Sequence, residues 1–140
     1  MNELLPALGY GAAYCLLGTA MLVAAWYVFD LLTPGRLGER LHESHSAALV
    51  AGTWMVAQGA IVFTAIWTNA DAGFGAELAW TAAFGVLGIV LQAAAFRLVD
   101  VVTPGRLGDE LMQPGPMTPL ARLFAGVIAA VALVVVASIA

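Results

Sequence analysis

Asp30-Leu-Leu-Thr-Pro-Gly-Arg-Leu-Gly-Glu-Arg-Leu41 returns seventy positions later as Asp100-Val-Val-Thr-Pro-Gly-Arg-Leu-Gly-Asp-Glu-Leu111. The same offset superposes the apolar segments before these stretches: Ala12-Ala13 over Ala82-Ala83, Leu17-Gly18 over Leu87-Gly88, Ala24-Ala25 over Ala94-Ala95, and Trp26 over Phe96. Self-similarity at one period that fills a chain marks a duplicated structural unit. The chain is therefore read as two units, residues 1–70 and 71–140, sharing one bundle.

Composition sets the class. The 140 residues are 62% hydrophobic and 10% charged, with mean hydropathy +0.94, whereas soluble domains average ~45–50% apolar and ~25% charged. This is the composition of an all-α integral membrane protein. The net charge of −4 says little about acidic or basic partners, because the charges fall in short loops. Cys15 is the one cysteine and has no intramolecular disulfide partner.

Four apolar runs, Leu8–Leu32, Ala47–Trp67, Leu78–Val99 and Pro119–Ala140, are long enough to cross a bilayer, which takes ~20 helical residues. The first is read as a true span, since Glu3 stands where a signal peptide would be basic and the run is too long. Each unit has two spans, so both copies enter and leave on the same sides, giving tandem parallel repeats. All five arginines, Arg36, Arg40, Arg97, Arg106 and Arg122, lie on the side of loops 33–46 and 103–118. By the positive-inside rule those loops are cytoplasmic and both termini are outside, with Glu3, Asp71 and Glu77 on the outer side. Trp67 and Trp80 then mark the outer interface, Trp26 and Tyr27 the inner one. The expected location is the bacterial inner (cell) membrane, multi-pass.

The repeated loops carry the candidate interaction motif: Asp30, Thr33, Pro34, Gly35 and Arg36, with Asp100, Thr103, Pro104, Gly105 and Arg106. Thr33 is expected to cap a short interfacial helix that begins at Pro34, where a missing N–H costs nothing. Leu37 and Leu41 give that helix an apolar face, as Leu107 and Leu111 do in the second copy. Arg40 and Glu110 face water. Asp30 and Arg36, like Asp100 and Arg106, are close enough in sequence to pair.

Polar residues inside the spans are few. Gln58 and Gln92 fall at similar depth, within reach of a mutual hydrogen bond, and an amide there reads first as glue between helices. Thr81, Gly85, Gly88 and Gln92 share one face of the third span, Ala121, Ala125 and Ala129 one face of the fourth, and Ala48, Gly52 and Gly59 offer small contacts in the second. Such faces suit close packing, within the chain or between protomers. Glu39-x-x-His42 has di-iron spacing, but the second copy has Asp109-x-x-Met112, so His42 and His45 read as solvated side chains. No metal, cofactor or nucleic-acid site and no catalytic constellation is expected, so the protein is not read as an enzyme.

Two tandem two-span units, each with a Thr-Pro-Gly turn and a charged loop, followed in the first copy by Ser44-His45-Ser46-Ala47-Ala48, resemble the bacterial DUF350 family, also called UPF0719. In the second copy Gln-Pro-Gly-Pro-Met-Thr-Pro replaces that polar stretch after Leu111, so whatever the stretch does is expected of the first copy alone. The resemblance implies no activity. It implies association with another membrane or envelope-stress protein, beside the lipid bilayer itself. Taken together, these features suggest a homo-oligomeric scaffold or accessory subunit acting through the duplicated loops. The alternative is a channel or transporter for an ion or small cation.

Overall fold

A computed structural model describes residues 4–69 and 73–140. All regular structure among them is helical: α1 (Leu4–Leu32), α2 (Leu37–Arg40), α3 (His45–Thr68), α4 (Phe74–Val102), α5 (Leu107–Leu111) and α6 (Pro119–Ile139). α1, α3, α4 and α6 are long and apolar enough to cross a membrane. Glu3 and Asp71, expected on the outer side, lie outside the described residues.

The helices run past the apolar segments on which they are founded. α1 starts at Leu4, four residues before the expected Leu8, and α4 covers Phe74–Val102 where Leu78–Val99 was expected. At ~1.5 Å per residue, helices of 29 residues reach roughly 43 Å, beyond a hydrocarbon layer of ~30 Å. Their ends therefore project into the headgroup layer or tilt. α3 and α6, of 24 and 21 residues, fit that layer more closely.

α3 and α4 form the centre of the bundle, each packing on the other three long helices. Lipid tails are as apolar as the side chains, so burial alone does not hold membrane helices together; packing and hydrogen bonds do. An aromatic layer takes one ring from each long helix. Phe29 of α1 stacks on Trp54 of α3 with centroids 5.0 Å apart and meets Phe96 of α4 edge-on at 6.0 Å, and Phe96 meets Phe124 of α6 at 5.4 Å. Offset and edge-on pairs of this kind add to plain contact. The Trp54 indole N–H donates to the Ala25 carbonyl at 3.1 Å, so its one polar group is satisfied inside the bundle.

The expected face of α4 is the packed one: Thr81, Gly85, Gly88 and Gln92 are all buried. The small residues of the other spans divide. Ala121 and Ala125 are buried in α6 while Ala129 is exposed, and in α3 Ala48 and Gly52 are exposed and Gly59 half-buried. In α3 the core side is formed by Ala47, Val50, Ala51 and Trp54, which leaves Ala48 and Gly52 on the outer side of the single chain. Trp67, Trp80 and Tyr27 are exposed at the ends of the helices and Trp26 is half-buried, as suits rings at a lipid–water boundary. Glu77 belongs to the first turn of α4 and accepts a hydrogen bond from Tyr14 of α1.

Among the glycines of the long helices, Gly88 has the least room for a side chain. A Cβ there would stand 2.7 Å from Ile61 Cδ1 and 3.0 Å from Gln58 Oε1, whereas Gly52 has open space. In a helix, Gly→Ala alone favours folding by ~0.4–1 kcal/mol, and overpacking costs ~1–3 kcal/mol. Gly88→Ala should therefore lower, and Gly52→Ala slightly raise, the thermal unfolding midpoint in detergent. Equal shifts would mean that α3 and α4 are not in such close contact.

Candidate functional site

The loops of the Thr-Pro-Gly stretches come together at one end of the bundle and form the most elaborate polar structure of the chain. Each begins with an aspartate. Asp30 Oδ1 accepts a hydrogen bond from the Leu37 amide at 2.8 Å, and Asp100 Oδ1 from the Gly108 amide at 3.1 Å. A carboxylate from the last turns of the long helix thus caps the short helix that follows, satisfying an N–H that has no partner within its own helix. This corrects the expected pairing of Asp30 with Arg36 and of Asp100 with Arg106. Arg36 pairs with Glu39 instead, at 3.4 Å across an exposed turn, a contact worth little.

The role expected of Thr33 is corrected as well. It does not start α2, which begins at Leu37; its hydroxyl donates to the Phe29 and Asp30 carbonyls at 3.1 and 3.2 Å and so finishes α1. Thr103 likewise ends α4, its amide donating to the Val99 carbonyl at 2.9 Å. The Pro-Gly pairs form the connecting turns, with Gly35 at φ 88° and Gly105 at φ 103°, a conformation open to glycine. Leu37, Leu107 and Leu111 are buried and Leu41 is half-buried, as expected of the apolar faces; Arg40 is exposed and Glu110 half-buried.

The two loops differ in one backbone detail. Arg36 is extended ahead of α2, but Arg106 has φ 59° ahead of α5 and is the one non-glycine with positive φ among the described residues. The flip shifts the capped amide by one position, from the first residue of the short helix to the second. Gly108 then lies against the first loop, where a Cβ would stand 2.8 Å from Pro34 Cδ, whereas Gly38 meets nothing within 4 Å.

The stretch Ser44–Ala48, expected to act alone, is joined to the segment that follows Leu111 in the second loop. The buried Ser44 hydroxyl accepts from the Ala47 amide at 3.2 Å, capping α3, and donates to the Leu111 carbonyl at 2.7 Å. The His45 amide donates to the Gly115 carbonyl at 3.2 Å and the Gly115 amide to the Glu43 carbonyl at 2.9 Å. Ser46 Oγ accepts from the Thr118 amide at 3.0 Å, and Thr118 in turn caps α6. The two loops are therefore hydrogen-bonded into one surface. His42 and His45 have exposed side chains on it, and among the described residues no three metal-ligating side chains come together.

A cavity of about 230 Å³ opens beside this surface, between the end of α1 and the corner of α4 and α5. Its lining includes the apolar Leu31, Leu32 and Pro34 and the charged Arg97, Asp100, Arg106 and Asp109.

Deeper in the bundle the two glutamines meet. Gln92 Nε2 donates to Gln58 Oε1 at 2.9 Å, and Gln58 Nε2 donates to the Gly85 carbonyl at 2.9 Å. Both side chains are fully buried, and Gln92 Oε1 and the Thr81 hydroxyl have no hydrogen-bond partner among the described residues.

The model of the family described as Domain of Unknown Function (DUF350) matches residues 3–139. A UPF0719 transmembrane protein of Mycolicibacterium paratuberculosis is 28% identical over 116 residues, covering 81% of this chain and 76% of the relative. UPF0719 transmembrane proteins of Mycobacterium bovis and Mycobacterium tuberculosis are each 30% identical over 103 residues, covering 72% of this chain and 67% of the relative. No solved structure matches. With its four apolar helices, the chain is a multi-pass membrane protein.

The glutamine geometry predicts an order of stabilities. Gln58→Leu leaves the Gln92 amide without any partner, at a cost of ~1–3 kcal/mol. Gln92→Leu leaves Gln58 still bonded to Gly85 and should cost less, ~0.6–2 kcal/mol. The double variant should recover part of the Gln58→Leu loss. Thermal unfolding of the three variants in detergent measures the order, and a larger loss for Gln92→Leu would contradict it.

Proposed function

The chain belongs to the DUF350 family, and since neither that description nor the names of its relatives states an activity, we propose a role from its own geometry: a small homo-oligomeric scaffold or accessory subunit of the bacterial inner membrane. It works through loops 33–46 and 103–118, which face the cytoplasm because every arginine lies on their side. Both termini are outside. The two units, residues 1–70 and 71–140, are parallel repeats whose Thr-Pro-Gly turns set short interfacial helices at the headgroup level.

The observation that carries this reading is the joining of the two loops through Ser44, His45 and Ser46. A surface held by backbone hydrogen bonds presents Arg36, Glu39, Arg40 and His42, all exposed, in fixed positions, as docking of another membrane protein requires. The bundle interior supports scaffold over channel: the four-ring aromatic layer and the Gln58–Gln92 pair fill the space where a polar path would run. Self-association has its support in α3, where the small residues Ala48, Gly52 and Ala60 lie along one exposed face beside Val56. Small residues on one face let helices approach closely.

Cross-linking tests both parts. On a Cys15→Ser background, Gly52→Cys in native membranes should give an oxidant-induced dimer, while Gly38→Cys should react with an impermeant thiol reagent only in inside-out vesicles. Wild-type protein in liposomes should carry no ion flux above empty vesicles. Absence of the dimer together with a selective flux would replace this proposal with the channel reading.

A further inference from the structure

The cavity beside the joined loops holds charges that the rest of the chain does not neutralise. In the first loop Arg36 is matched by Glu39 at 3.4 Å. In the second, the residue at the same spacing is Asp109, one methylene shorter, and Arg106 makes no ion pair among the described residues; nor does Arg97. Two guanidinium groups and two carboxylates therefore line one space of about 230 Å³, with Asp100 already committed through Oδ1 to the Gly108 amide. The space depends on features that only one of the two loops has. Pro34 leans on Gly108, and Arg106 takes the left-handed backbone that directs α5 against it. Strained backbone of this sort persists where surrounding structure holds it and clusters at binding sites.

Leu31, Leu32 and Pro34 add an apolar part to the lining. Leu31 is 80% exposed and stands in the last turn of α1, where a membrane helix leaves the hydrocarbon. An occupant must therefore carry a phosphate or similar anion for the guanidinium forks, a cation for the carboxylates, and a hydrocarbon part beside Leu31. Guanidinium groups match phosphate oxygens bidentately, and a primary ammonium has three donors for Asp109 and the free oxygen of Asp100. We infer that this cavity binds the headgroup of a zwitterionic phospholipid bearing a primary amine, with Arg97 and Arg106 on the phosphate and Asp109 on the ammonium. A quaternary ammonium has no N–H for those carboxylates, and an anionic headgroup leaves them uncompensated.

Native mass spectrometry of the full chain, released from mixed micelles containing phosphatidylethanolamine, phosphatidylcholine and phosphatidylglycerol in equal amounts, reads the preference directly. Phosphatidylethanolamine should be retained about tenfold over the other two, and Arg97→Gln or Arg106→Gly should each reduce its retention about tenfold. Arg106→Gly suits the positive φ, so its effect reports the lost charge rather than new strain. Arg122→Gln, an exposed arginine of α6 outside the cavity, should change nothing. Asp109→Asn should abolish the preference over phosphatidylcholine while both lipids stay bound. Equal retention of the three lipids, or equal losses from Arg122→Gln and Arg97→Gln, would overturn the assignment in favour of general surface attraction. Displacement of bound lipid by millimolar inorganic phosphate would overturn it in favour of a free-anion site.

Discussion

A helix that ends beside a bilayer leaves four N–H or four C=O groups open, and lipid offers them nothing. In this chain the long helices must turn back at that level with few residues to spare. The partners are found within the protein: the Asp30 and Asp100 carboxylates for the short helices, the Thr33 hydroxyl for the end of α1, Ser44 and Thr118 for the starts of α3 and α6. Once these groups are matched, α2 and α5 have fixed directions, and their leucines are buried as a consequence. The joining of the loops follows from the same requirement, since Ser44, besides capping α3, satisfies the Leu111 carbonyl.

Much of this architecture was legible in the sequence because membrane spans are written in composition. The four apolar runs, the small face of α4 and the inward leucines could be read directly. Helix ends could not, since hydropathy fades near charge while hydrogen bonding continues; α4 runs on past Val99 through Asp100 to Val102 for that reason. The loops hid most. Asp-x-x-Thr-Pro-Gly-Arg invites an Asp–Arg pair on charge alone, yet a carboxylate buries better against an amide than an exposed guanidinium, and Thr beside Pro suggested a helix start when it marks a helix end. Nothing in the pattern showed that Arg106 departs from Arg36 in backbone conformation, or that Gln113–Pro119, which looked like a loss of the Ser44–Ala48 stretch, is the segment to which that stretch is bonded.

The difference between the two loops therefore has structural consequences. Across the joint each loop both gives and takes: the Ser44 hydroxyl and the His45 amide donate to the Leu111 and Gly115 carbonyls, and the Gly115 and Thr118 amides donate to the Glu43 carbonyl and Ser46 Oγ. The same asymmetry places Pro34 on Gly108 while Gly38 stays open, beside the charged cavity at the joint. The surface offered by the two loops is thus one unit built from both halves of the chain.

The direct test of that unity is hydrogen–deuterium exchange of the protein in lipid nanodiscs, comparing wild type with Ser44→Ala. The account predicts slow exchange in both loops for the wild type, including the Leu37, His45, Gly108, Gly115 and Thr118 amides, and faster exchange in both loops together when the Ser44 hydroxyl is removed. Rapid exchange in the wild type, or a change confined to the first loop, would contradict it and leave two independent connectors.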